Sequence, residues 1–260
     1  MIGCIIQARM GSSRLPGKVM EKLDQNNTVL SYVIKQLKYS KLLDDIIVAT
    51  TSLKRDEVIV DFLEEEGIKY FCGDEENVLD RYYQCAKKFS MSEIVRIPSD
   101  KPLIDPEIVD KCIEVFLTKK YDYVTTFLEP SFPYGTEVEV FSFNVLEKVW
   151  KNAQLPSEHE NVTPYIYNNK DKFQIYNLKN SIDLSHLRWV IDRAEDLELV
   201  RQLVSKINKE PILMQDILEI FKSEPKLAEI NSNVKHDEGY KKSLKKDLGF
   251  IKRGKTFDEK

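Results

Sequence analysis

Histidine is scarce in this chain of 260 residues: there are three, beside four cysteines and nine glycines. The cysteines, Cys4, Cys72, Cys85 and Cys112, are widely scattered with no Cys-x-x-Cys pair, which argues against a structural zinc site. Buried free thiols in a reducing compartment are the expected alternative. No apolar run approaches the roughly 20 residues that a membrane-spanning helix needs. The N-terminal run, residues 2–6, meets Arg9 too early for a secretory signal. A cytoplasmic location is therefore expected. An excess of basic charge is also lacking: the net charge of −4 argues against a general nucleic-acid binder, whose footprint is basic.

What is present is an alternation of strand and helix patterns. Residues 2–6 are continuously apolar, as in a parallel strand buried on both faces. Val29, Leu30, Val33, Ile34 and Leu37 recur at helical spacing behind Thr28, a candidate N-cap. "DDIIVATT", "IKYFCG" and "EIVRIPSD" read as further strands. Between and after them a helix ending at Gly67, "ENVLDRYYQCAKKF" and "DPEIVDKCIEVFLTK" read as helices, with Pro106 suited to a first turn. This rhythm predicts a mainly parallel sheet with helices on both faces, with ligands outside the carboxyl ends of its strands.

From Tyr121 the pattern is less regular. "DYVTTF", "TEVEVFSF" and "KFQIYNL" read as strands and "NVLEKVWKNA" and "ENVTPYIYNN" as helices, an inserted antiparallel subdomain or dimer arm over about 125–182. "HLRWVID" reads as a returning strand, followed by two helices, "AEDLELVRQLVSKI" and "MQDILEIFKS". One domain over 1–225 is expected, then a basic extension over 226–260 whose last dozen residues are loosely held.

Three constellations bear on chemistry. The loop 9–18 carries Arg9, Arg14 and Lys18 among Gly11, Ser12, Ser13, Pro16 and Gly17. Small residues admit backbone N–H donors close to a phosphate, arginine adds a planar fork and lysine a compact charge. It is not a Walker A loop, and no helix is expected to start at Lys18. The second constellation is Asp100 and Asp192, each at the end of an expected strand: two carboxylates suited to Mg²⁺ with substrate phosphate, or turn and cap residues. In the third, His159 with Glu158 and Glu160 reads as a general base or substrate contact, or as a polar surface residue. Gly73 and Arg81 are weaker candidates, since Arg81 could instead pair with Asp80 or Glu76.

"IIQARMGSSRLPGKVM", "GDEENVLDRYYQCAKK", "VRIPSDKPLIDPEIVD", "PYGTEVEVFSFNVLEKVWKNAQLPSEHENVTPYI" and "HLRWVIDRAEDLELVR" together resemble the sugar cytidylyltransferases, in their order and over nearly the whole chain. These include the 3-deoxy-manno-octulosonate and acylneuraminate enzymes and the spore-coat polysaccharide biosynthesis protein F branch, the nearest in pattern. The resemblance implies an α/β fold of three layers, the Rossmann-like α/β/α nucleotide-diphospho-sugar transferase fold, commonly a homodimer through the inserted arm. It implies transfer of CMP from CTP to a sugar-type acceptor with Mg²⁺ as cofactor. Carried over by position, Arg9 and Lys18 would bind the triphosphate beside Arg14, and Asp100 and Asp192 the metal. Ala8, Gly11, Ser12, Ser13, Gly73 and Arg81 would line the nucleotide site, and Lys101, Tyr134, Glu137, His159 and Glu160 the acceptor site. Two departures leave the acceptor open: Ser99-Asp100-Lys101 replaces Gly-Asp followed by Cys or Glu, and Arg193-Ala194 replaces Thr-Pro. A guanylyl- or other nucleotidyltransferase, a glycosyltransferase and a nucleotide-sugar sensor are the alternatives.

Overall fold

The first apolar run forms β1 (Ile2–Gln7), and its alternation sets two cores: Cys4 and Ile6 face one, Ile5 the other. The computed structural model describes residues 1–234 and 238–252. Along the chain follow α1 (Val29–Leu37), β2 (Asp45–Thr51), α2 (Glu57–Glu65), β3 (Lys69–Gly73), α3 (Val78–Lys88), β4 (Glu93–Pro98) and α4 (Pro106–Leu117). As expected, Thr28 caps α1 by accepting from the Ser31 N–H and Pro106 opens α4; Asp105 caps that helix by accepting from the Glu107 N–H.

The second half supplies β5 (Tyr123–Thr125), β6 (Glu139–Ser142), α5 (Phe143–Asn152), α6 (Pro156–Asn161), α7 (Pro164–Asn168) and β7 (Ile175–Asn177). Among the described residues the sheet has seven strands in the order β3-β2-β1-β4-β6-β5-β7. β1, β2, β3 and β4 pair in parallel, and β6 is antiparallel to both β4 and β5. β7 returns parallel to β5. The apolar stripes of α1, α2 and α4 cover one face of this open sheet, and those of α3, α5 and α7 cover the other. That is the three-layer α/β/α arrangement expected of the resemblance.

A third core forms where α8 (Ala194–Lys206) and α9 (Met214–Ser223) pack around Trp189 and Ile191. The last described element, α10 (Glu238–Lys252), packs against α6.

Several expectations need correction. "HLRWVID" is no strand: apart from an isolated Tyr134–Arg188 bridge it is an extended segment. Its backbone bonds go to Tyr134 and Asp100 instead of to a ladder. "TEVEVFSF" stops as a strand at Ser142, whose hydroxyl accepts from the Val145 N–H and caps α5. "ENVTPYIYNN" breaks at Val162, where φ is 72°, so α6 and α7 are separate turns. A short 3-10 turn does start at Lys18, entered through Gly17 at φ 74°, a left-handed conformation that glycine adopts without a side-chain clash. In the extension, residues 249–252 belong to α10, and the rest of the last dozen lie outside the described residues. Cys4, Cys85 and Cys112 are buried as expected, but Cys72 is exposed.

Candidate active site

The carboxyl ends of β1 and β4 are neighbours because the two strands pair directly, Gln7 opposite Pro98. The loop after β1 and the turn after β4 thus open into one cleft of about 1430 Å³. Asp192 reaches the same place by another route. The 186–192 segment is fastened by the Ile191 N–H to the Asp100 carbonyl at 2.8 Å and the Trp189 N–H to the Tyr134 carbonyl at 2.8 Å. Gly135 makes that approach possible. Its φ is 118°, and a Cβ there would stand 2.6 Å from the Val190 nitrogen.

Lys18 is the hub. Its ammonium donates to Asp100 Oδ2 at 2.7 Å, Asp192 Oδ1 at 2.8 Å and the Ile191 carbonyl at 2.6 Å. Burial works against a charged amine here, but the two aspartates outweigh it and hold Lys18 above its usual range. Burial likewise works against a charged Asp192; Lys18, followed by Arg14 donating at 2.6 Å, overcomes it and pulls the carboxyl well below its usual range. Asp196 holds this group in place. It accepts from the backbone N–H groups of Asp192 and Arg193, both at 2.9 Å, and from the Arg188 guanidinium at 2.8 and 2.9 Å.

The loop after β1 is tied down from outside the cleft. Asp56, fully buried, accepts from the Met10 N–H at 2.6 Å and from the Thr51 hydroxyl. Arg9 lies 3.6 Å from the Glu75 carboxylate. Ala8, Gly11, Ser12 and Ser13 line the cleft with it. Arg81 is buried in the same wall and donates to the Asp74 carbonyl at 2.9 Å, not to Asp80 or Glu76; its Nε has no partner among the described residues. Gly73 does not line the cleft but packs against the Arg81 side chain.

Lys101 pairs with Glu137 at 2.8 Å, and the Gly135 N–H donates to the same carboxylate at 3.0 Å. The positive charge of Lys101 is thus compensated. Tyr134 lines the cleft with its ring 5.0 Å from the Arg188 guanidinium. Two expected contacts do other work. His159 is buried outside the cleft, its ring nitrogens 3.1 Å from Asn77 Oδ1 and 3.1 Å from the Ala153 carbonyl, tying α6 to the start of α3. Glu160 lines the cleft but accepts from Ser243 at 2.9 Å and Lys246 at 2.8 Å of α10.

Sequence reasoning misses Asp56, Glu75, Arg188 and Asp196, and also the buried pair Arg96–Glu139 in the cleft floor. Asp196 alone left a signal, as an acidic residue in the first turn of an expected helix. The others are partners across distant elements, which a single chain does not advertise.

Among the described residues no group of three or more His, Cys, Asp and Glu side chains could by itself hold a metal ion. The donors gathered on the Lys18 ammonium are two carboxylates and a carbonyl. Such a hard-oxygen set fits Mg²⁺, which takes one or two carboxylates and fills its remaining positions from phosphate and water.

A mixed sheet with a basic loop after β1, facing Asp100 after β4 and Asp192 from the 186–192 segment, is the arrangement of a nucleotidyltransferase. Comparison makes this particular: a family model described as cytidylyltransferase matches residues 3–233, and the chain belongs to that family. It is 31% identical over 231 residues to the spore coat polysaccharide biosynthesis protein SpsF of Bacillus subtilis, covering 86% of this chain and 95% of that one. It is 40% identical over 233 residues to an uncharacterized protein of Methanocaldococcus jannaschii, covering 89% and 94%. Among solved structures, a cytidylyltransferase from Leptospira borgpetersenii superposes with a TM-score of 0.84 at 32% identity, covering 87% of this chain and 96% of that one.

Proposed function

We propose that this enzyme transfers CMP from CTP to a sugar or sugar-acid acceptor, releasing pyrophosphate, with Mg²⁺ as its cofactor. The observation that carries the reading is the meeting of Lys18, Arg14, Asp100 and Asp192 in one cleft at the ends of β1 and β4. Transfer of this kind rests on positioning and charge neutralisation more than on covalent work by the protein. Lys18, Arg14 and Arg9 neutralise the phosphate chain and the departing pyrophosphate. The backbone N–H groups of Gly11 and Ser13 are donors for the same oxygens, while that of Ser12 holds the loop by donating to the Met10 carbonyl at 2.9 Å. Asp100 and Asp192 are the residues that would hold Mg²⁺; when bound, the ion supplies Lewis-acid polarisation of the α-phosphate. Asp196 and Arg188 keep Asp192 aimed at the cleft, and Tyr134, Lys101 and Glu137 form the acceptor wall.

The likeness to SpsF supports a role in making precursors of a surface polysaccharide. No described helix is long and apolar enough to cross a membrane, in keeping with a cytoplasmic enzyme. We assign catalysis to residues 1–225 and dimer formation to the 125–182 insertion. The test is pyrophosphate release with each of the four nucleoside triphosphates, Mg²⁺ and a panel of sugar acids and sugar phosphates. Release with CTP alone, reduced at least about 100-fold in Asp100→Asn, is the expected result; release with another triphosphate or undiminished release by the variant overturns the reading.

A further inference from the structure

The family match ends at residue 233, yet the cleft does not end with it. α10 presents Gly239, Lys242, Ser243, Lys246, Gly249 and Phe250 to the cleft, a spacing of three and four that puts them on one helical face. The helix is anchored on both sides of the opening. On the α6 side, Ser243 and Lys246 hold Glu160, and the Ser157 N–H donates to Asp247 at 2.8 Å. On the side of the phosphate loop, Glu238 pairs with Arg193 at 2.6 Å. Gly239 lies against Arg14 so closely that a Cβ there would stand 3.3 Å from the guanidinium.

Charge accounting among the described residues leaves three cleft cations without a carboxylate partner: Arg81, buried and donating to the Asp74 carbonyl, and two exposed lysines of α10. Arg9 faces Glu75, Arg14 and Lys18 face Asp192, Lys101 faces Glu137, Arg96 faces Glu139 and Lys246 faces Glu160. Lys242 and Lys245 also line the cleft, and they have no ion pair among the described residues. Lys242 follows Gly239, and so the contact with Arg14, by one turn of the helix. A polyphosphate entering beside Arg14 meets cations already matched by carboxylates, except on this wall and at the buried Arg81.

We infer that α10 is a wall of the substrate site, and that Lys242 and Lys245 bind the β- and γ-phosphate end of the nucleoside triphosphate. This rests on the nucleotidyltransferase reading above and extends it to a segment outside the family match. The experiment is calorimetric titration of the full-length protein with CTP and with CMP, each with Mg²⁺, in the wild type, Lys242→Met/Lys245→Met and Lys242→Arg/Lys245→Arg. Both lysines are exposed, so the variants fold, and thermal unfolding checks it. The Met pair should bind CTP about tenfold more weakly and lose part of the salt dependence, with CMP affinity unchanged and the Arg pair close to wild type. Equal CTP affinity in wild type and Met pair overturns the inference, as does an equal loss for CTP and CMP. Absence of any nucleotide binding by the wild type overturns instead the reading on which the inference rests.

Discussion

At the residue scale, the site depends on buried carboxylates that do not line the cleft. Asp196 is fully buried and bound to Arg188, Asn231 and two backbone N–H groups. Asp196→Asn leaves the Arg188 charge with only the more distant Asp192 carboxylate at 3.5 Å, and removing one member of a buried pair costs about 3 kcal/mol. Urea denaturation should show that loss together with reduced turnover; an unchanged midpoint contradicts the role. The thiols are graded by burial, which pushes Cys85 and Cys112 up to about 12 and Cys4 further. A thiol reagent should therefore modify Cys72 alone in the native protein and all four cysteines after denaturation. Rapid labelling of a second native thiol would contradict the packing. Asp24 gives a pH effect: burial opposes its charge, but hydrogen bonds from Tyr32, Asn27 and Asn26 prevail and lower it to about 2. The stability it lends is complete above the ordinary value of 3.8 and is lost as pH falls towards about 2. Asp24→Asn should lack that part of the acid transition, and superimposable acid curves would refute it.

At the element scale, the parallel half of the sheet is legible in the chain because strands buried on both faces are continuously apolar and separated by amphipathic helices. The 186–192 segment misleads for the same reason. It is apolar because Trp189 and Ile191 fill the third core, while its backbone is spent on Tyr134 and Asp100. Its nearness to the sheet depends on Gly135. Gly135→Ala should cost about 1–3 kcal/mol, through the clash with Val190 and the unfavourable φ, and weaken nucleotide binding. A variant as stable as wild type in chemical denaturation would show that the backbone there yields freely. α10 escapes a sequence reading because it packs through Ser243, Asp247 and lysine, so its buried face carries no apolar stripe. His159 and Glu160 show the converse: polar residues that read as candidate substrate contacts are fasteners, of α6 to α3 and of α6 to α10.

At the scale of the whole molecule, residues far apart in the chain reach one cleft because β1 and β4 are adjacent and Gly135 admits the 186–192 segment. Their residue types were legible; their pairing was not, since Lys18 and Asp192 lie 174 positions apart and meet only after the sheet is built. The most direct test of this convergence is calorimetric titration of CTP, with and without Mg²⁺, into the wild type and Asp100→Asn. CTP should bind the wild type far more tightly when Mg²⁺ is present, and the substitution should abolish that difference. Equal binding by the wild type in both conditions, or an Mg²⁺ effect of full size in the variant, would contradict a metal-nucleotide site built on Asp100.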